Sequence, residues 1–261
     1  MAGNPLAVPW AVGKASAMGL EVVAASDRPD LESEATAAFR QRWPEFIFHD
    51  PTPPKYMDRV HQYFSEYDVL LLVDGHVAAG GWGVPIAWDR TPGGLPEGYD
   101  AVLIGAVEDH EEGRVPNTLS FMAAAVHPKY DKQGLATDVL AALTERAVQA
   151  GIEHVVAPIR PTWKQRYPQV SMAEYATWSR EDGLSIDPWI RTHQRMGAQI
   201  LRPAPNSMVI SGTVAEWETW SGMLFPVSGD YVVPEALNLL HVNRENDTAI
   251  YCEENLWVQH R

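Results

Sequence analysis

The sequence predicts a mixed α/β (α+β) fold, and three observations carry that reading. Asp74-Gly75 stands between two β-rich runs, "DVLLLV" and "HVAAGGWGVPIAW", which is the pattern of a tight antiparallel hairpin. "NTLSFMAAAV", "GLATDVLAALTERAVQAG" and "HVVAPI" follow one another as apolar run, amphipathic helix and short buried strand, so together they make a βαβ unit. With 261 residues and 46% apolar content the chain can bury a sizeable core, and of one large domain or one domain with an appendage the second is favoured.

In chain order, "GLEVVAA" from Gly19 to Ala25 reads as a first strand. "SDRPDLESEATAAFRQRW" reads as a helix with acidic residues at its start, ending at Trp43 before Pro44. "PTPP" breaks the chain, and a second helix, "KYMDRVHQYFSEY", leads into the hairpin. Asp89 to Gly98 is rich in Pro and Gly and reads as a loop. "YDAVLIGAVEDHEEG" is compatible with helix or strand. The helix of the βαβ unit carries Val139, Leu140, Leu143 and Ala147 at helical spacing and ends at Gly151, the residue type that caps a helix C-terminus most cheaply. A polar-aromatic connection from Pro161 to Ser185 follows, then a helix "DPWIRTHQRMG" and strands around "QILR" and "SMVISGTV". From Ala215 onward the chain has short β-like runs and several aromatics. No internal repeat or low-complexity tract is present.

Charge and motif content narrow the function. A net charge of −14 opposes binding to a phosphate backbone, so a small-molecule substrate is favoured over nucleic acid. The single Cys252 makes no internal disulfide, the first 20 residues lack the features of a secretory signal, and no apolar run is long enough to span a bilayer. A cytosolic protein is expected. The nine histidines show no metal-binding spacing on one element, so no metal is expected. Nucleophile-elbow, P-loop and Gly-x-Gly-x-x-Gly motifs are absent.

The sharpest local feature is Asp131-Lys132-Gln133-Gly134-Leu135-Ala136, where a strand hands over to a helix. Gly134 and Ala136 leave backbone N–H groups uncovered where the helix dipole favours an anion. Together with the order strand, "VHPKYDKQGLA", helix, strand and a helix ending "THQRMGA", this loop resembles the signature of the GNAT acyltransferase superfamily, Gln/Arg-x-x-Gly-x-Gly/Ala, with Asp131 at the first position. The resemblance covers residues 19–214 and is best between Leu119 and Gly197. It implies a mostly antiparallel sheet with a central splayed parallel pair. With the tail from Ala215 onward reading as a small appended subdomain, the expected division is an N-terminal extension (1–18), an acyltransferase domain (19–214) and a C-terminal appended subdomain (215–261).

The resemblance further implies acetyl-CoA or another acyl-CoA as co-substrate, its diphosphate on the loop and helix start (Lys132, Gln133, Gly134, Leu135, Ala136, Thr137). Its thioester carbonyl would be polarised by backbone near Ala125 and Val126. Asp131 opposes a diphosphate unless it points away or pairs with Lys132. The reaction implied is acyl transfer, in a ternary complex, to an amine of a small acceptor. In this sequence the position of the family's acid is His193, four residues before Gly197, and the strand position of its base is near Ser120. His193 also fits a packed core histidine, since it shares a helical face with Ile186 and Ile190. The run Glu108 to Glu112 reads as solvated surface.

On the acceptor side, the connection Pro161–Ser185 joins aromatics (Trp163, Tyr167, Tyr175, Trp178) to a basic cluster (Arg160, Lys164, Arg166). It reads either as a pocket for an acceptor with an anionic group or as a lid packed on the sheet. Trp82 and Trp88 face the same cleft or the core. Two rivals stand beside the CoA-dependent enzyme. One takes its acyl group from an acyl carrier protein docked near Lys129, Lys132, Lys164 and Arg166. The other is a non-catalytic acyl-CoA or amine sensor on the same scaffold. The tail is expected either to cap the acceptor cleft or to form a homodimer surface.

Overall fold

A computed structural model describes residues 19–260; the N-terminal extension 1–18 lies outside the described residues. β1 (Leu20–Ala24) pairs antiparallel with β2 (Asp68–Val73), and β2 turns into β3 (His76–Ile86). Asp74 and Gly75 at that turn have φ of 52° and 79°, the left-handed pair that a two-residue hairpin with the right twist needs. Between β1 and β2 lie α1 (Glu32–Arg40) and α2 (Pro53–Phe64). The helix expected from Ser26 starts only at Glu32, after two short 3-10 turns. "PTPP" opens α2 rather than separating elements, because proline in the first turn gives up only an N–H that has no helical partner there.

The segment compatible with helix or strand is α3 (Tyr99–Glu111), which buries Val102, Leu103, Ala106 and Val107. Its start is fixed by close approach. A Cβ on Gly98 would lie 2.3 Å from Ser207 Cα, and the Tyr99 N–H donates to Ser207 Oγ at 2.8 Å.

The βαβ unit is present as β4 (Thr118–Val126), α4 (Leu135–Gln149) and β5 (His154–Ile159). β4 is antiparallel to β3 and parallel to β5, but the parallel register covers only Thr118 to Ser120 against His154 to Val156. Beyond Ser120 the two strands part. β5 turns its other edge to β9 (Thr248–Gln259), pairing Val156–Ile159 with Gln259–Leu256. The splayed pair in a mostly antiparallel sheet is the architecture expected.

After β5 come α5 (Met172–Tyr175), α6 (Pro188–Arg195), β6 (Gln199–Gly212) and α7 (Val214–Ser221), then β7 (Gly229–Tyr231), β8 (Leu240–Asn243) and β9. "QILR" and "SMVISGTV" belong to one long strand, β6, with register shifts around its prolines. The sheet order is β1-β2-β3-β4-β5-β9-β8-β7, with β6 on the second edge of β9. Residues 215–261 carry an apolar cluster around Trp217, Phe225 and Tyr251, yet β9 returns from it into the middle of the sheet. The main core lies between the sheet and α2, α3 and α4.

Candidate active site

Where β4 and β5 part, a cleft of about 360 Å³ opens. Its walls are Phe121–Val126 of β4, Ala157–Ile159 of β5, Ala136 and Leu140 of α4, and Trp189 and His193 of α6, with Arg42, Trp43 and Pro44 beside them. Strand pairing fixes which backbone groups face it. The His127 N–H donates to Ala78 O on β3, whereas the Val126 carbonyl accepts from Arg42 Nε at 2.6 Å. Backbone groups alternate sides along a strand, so Ala124 and Val126 turn their N–H groups to the cleft and Ala125 turns its own to β3.

At the loop, Gly134 takes the left-handed conformation (φ 86°) and starts α4 without a side-chain cap. The first intrahelical bond is made by the Thr137 N–H to Gly134 O, so the N–H groups of Leu135 and Ala136 are left for an anion. This fits a CoA diphosphate. Lys132, itself at φ 63°, and Gln133 are exposed beside it, and the Leu135 side chain is buried beneath. Asp131 does not pair with Lys132. It forms a salt bridge with Arg42, so its charge is compensated from the end of the first helical region.

His193 is 1% exposed. Its Nδ1 lies 2.7 Å from His260 Nε2, while its Nε2 is buried without a partner. Burial, and secondarily His260, hold the His193 pKa well below the usual histidine range; burial brings His260 down to about 4. Both rings are therefore neutral at pH 7, and one proton joins them. If it sits on His193 Nδ1, Nε2 is a base; if His260 donates it, Nε2 carries a hydrogen and is an acid.

Asp187 sets the position of α6. Its carboxylate caps the helix through the Trp189 and Ile190 N–H groups and also accepts from the Thr162 and Trp163 N–H groups and the Tyr175 hydroxyl. One buried carboxylate thus orders the 161–185 connection and aims His193.

The other expected site residues are more scattered. Ser120 is wholly buried, its hydroxyl has no partner, and the cleft wall begins at the next residue. Arg160 lines the cleft, but its guanidinium is held by Glu253 at 3.0 Å and by Glu235 O. Trp163 packs under Arg166, and Tyr167, Tyr175 and Trp178 pack on one another. None of these five lines the cleft. Lys164 is fully buried, donating to Tyr167 O and Leu237 O, so it offers no charge to a carrier-protein face. Trp88 is core; Trp82 lines a second cavity of about 420 Å³ that shares Trp43, Met122 and Ala123 with the cleft.

Arg42, Trp43, Asp187 and His260 are the cleft and positioning residues that sequence reasoning missed. Only Asp187 had a visible signal, an Asp-Pro at a helix start. Among the described residues no group of three or more His, Cys, Asp or Glu is placed to hold a metal ion, and no helix is long and apolar enough to cross a membrane.

Comparison with known proteins bears on this geometry. Residues 35–166 match the family model described as acetyltransferase (GNAT) family. An arginine N-acetyltransferase, avaD of Aspergillus versicolor, is 31% identical over 93% of this chain and 94% of its own. Among solved structures, the loading GNATL domain of CurA from Lyngbya majuscula superposes with a TM-score of 0.55 at 18% identity, covering 92% of this chain and 95% of that one. The GphF GNAT-like decarboxylase, in complex with isobutyryl-CoA, gives 0.52 at 18% identity, covering 92% and 97%.

Proposed function

The chain belongs to the GNAT family of acetyltransferases, and from that premise we propose that it acetylates the amine of a small cationic acceptor of the arginine kind, with His193 as the proton-transferring residue. The observation that carries the reading is the splayed cleft, with an anion-binding helix start contributing to its wall and a neutral imidazole, His193, lining it with one nitrogen unpartnered. The 31% identical arginine N-acetyltransferase supports the acceptor class.

Acetyl-CoA supplies the acetyl group. The chain's own parts then have distinct tasks. The Leu135 and Ala136 N–H groups hold the diphosphate, and Arg42 keeps Asp131 from opposing it. The Val126 N–H, with no strand partner on the cleft side, donates to the thioester oxygen as negative charge grows there. His193 Nε2 takes the proton that the amine loses as the N–C bond forms, and Nδ1 can release a proton to His260. The C–S bond breaks, and the departing CoA sulfur is protonated from the same relay.

Purified protein incubated with acetyl-CoA and arginine is expected to release CoA thiol and give arginine bearing one added acetyl group by mass spectrometry. His193→Ala should lower kcat about 100-fold or more while leaving acetyl-CoA binding intact. An unchanged kcat would remove His193 from the reaction. Acetylation from an acyl carrier protein but not from acetyl-CoA would replace the donor.

A further inference from the structure

The second cavity holds a feature that the reaction above does not use. Its walls are apolar and aromatic: Trp43, Phe48, Trp82, Tyr99, Met57 and Met122 among them. One carboxylate, Asp50, stands in that wall, and it is 2% exposed. Asp50 Oδ1 accepts from the Thr52 N–H at 2.8 Å, but Oδ2 is buried with no partner. Asp100, from the first turn of α3, lies beside it, and its Oδ1 is likewise buried and unpartnered. Burial, then the Asp50 charge and a hydrogen bond shared with Asp50, push the Asp100 pKa up to about 8, so Asp100 is the protonated member of the pair at pH 7; burial pushes Asp50 up as well.

Such a pair is costly. A buried carboxylate oxygen without a donor forfeits its hydration, and a second carboxylate alongside adds repulsion. The chain does compensate buried acids elsewhere. Glu253, also fully buried, accepts from Arg160, from the Tyr251 hydroxyl and from Asn255. Among the described residues no cation pairs with Asp50 or Asp100; the two carboxyls hydrogen-bond one another, so that the pair shares a proton and keeps a single negative charge at pH 7, and both residues are held firmly: Asp50 by its turn with Thr52, and Asp100 by the seating of Gly98 and Tyr99 on Ser207. A rigid buried negative charge with no counter-ion in the wall of a cavity is what remains when the missing partner is a cationic ligand.

We propose that Asp50, with Asp100 beside it, is the subsite that receives the planar guanidinium end of the acceptor between the aromatic walls of this cavity. The proposal rests on the reading of the chain as an amine acetyltransferase and assigns the acceptor's charged end to named residues. A guanidinium suits the site better than an ammonium or a metal ion. It is weakly hydrated, stacks on aromatic faces and offers several N–H donors in one plane, whereas an ammonium or a hard cation keeps its water or demands more oxygens than two carboxylates supply. Trp43, Met122 and Ala123 line both cavities, so an acceptor seated at Asp50 extends along β4 toward the cleft that holds His193.

The test compares arginine with citrulline, which has the same α-amine but a neutral ureido end, in calorimetric binding and in turnover. The proteins are the wild type, Asp50→Asn and Asp100→Asn, each checked for thermal unfolding and acetyl-CoA binding to show that it is folded. Wild-type protein is expected to bind arginine at least roughly 30-fold more tightly than citrulline, and Asp50→Asn to lose most of that preference through weaker arginine binding alone. Equal binding of the two ligands by the wild type, or unchanged arginine binding in both variants, overturns the proposal. The outcomes also separate the two readings. Arginine bound through Asp50 but never acetylated keeps the subsite and removes the acceptor assignment. Arginine acetylated with a KM that neither variant alters does the reverse.

Discussion

A single hydrogen bond between two buried histidines governs how the proposed proton relay responds to pH. His193 and His260 are neutral at pH 7 because burial opposes their charge, His260 down to about 4. In the unfolded chain both take up protons near 6.5, so the neutral pair contributes stability above that pH, and the contribution is lost as the pH falls from about 6.5 toward 4. In the proposed reaction the same shift would keep Nε2 available as a base across the neutral range. His260→Ala removes one charge-opposing neighbour and admits water to Nδ1. The variant is expected to show a lower kcat and an acid limb of its pH–rate profile moved upward toward 6.5; an unmoved limb would reduce His260 to packing. At this scale the sequence was partly legible. His193 stood out by its spacing from Gly197, but His260 carries no local signal, because only the pairing of β9 with β5 brings it near. The partner of Asp131 was hidden in the same way. Its nearest cation in sequence is Lys132, while the fold supplies Arg42.

Among elements, those with a strong local signal were read correctly and those ruled by context were not. The Asp74-Gly75 hairpin and the βαβ helix follow from turn chemistry and periodicity alone. α3 stayed undecided because its apolar residues form a dense run, and its helical period shows only in which ones are buried. The helix α7 was missed, as aromatic residues suggested β structure. Its signal was nevertheless present: Thr213 and Glu216 form a reciprocal capping box, with the Glu216 N–H donating to Thr213 Oγ1 and the Thr213 N–H to Glu216 Oε2. Thr213→Ala should therefore cost about 1 kcal/mol of stability, read as a lower urea midpoint with unchanged slope. Acetyl-CoA binding should not change, since α7 lies in the cluster around Trp217 and not on the cleft.

Over the whole molecule, the segment after residue 214 is tied into the rest of the fold. Its residues pack with Phe46, Ile210 and Val214 in a cluster around Trp217, while β9 carries the buried Leu256, Trp257 and Val258 into the main core and covers β5 and β6. A chain ending at residue 214 would leave both strands with open apolar edges. It is expected to show no cooperative thermal transition and to bind a hydrophobic dye, whereas a folded, acetyl-CoA-binding fragment would make 19–214 an independent domain. The sequence pattern could not reveal where the tail goes, because strand order is a property of pairings between distant segments.

That central position of β9 also bears on how the protein acquires its shape. The β5 wall of the cleft gains its second neighbour from roughly a hundred residues further along the chain, so a long loop must close before the wall is complete. Local elements such as α4 and the β2–β3 hairpin need no such closure and can form early. Affinity for the donor is thus a late-arriving property on the folding path, and a kinetic trap that delays β9 would leave a molecule rich in secondary structure yet blind to its co-substrate.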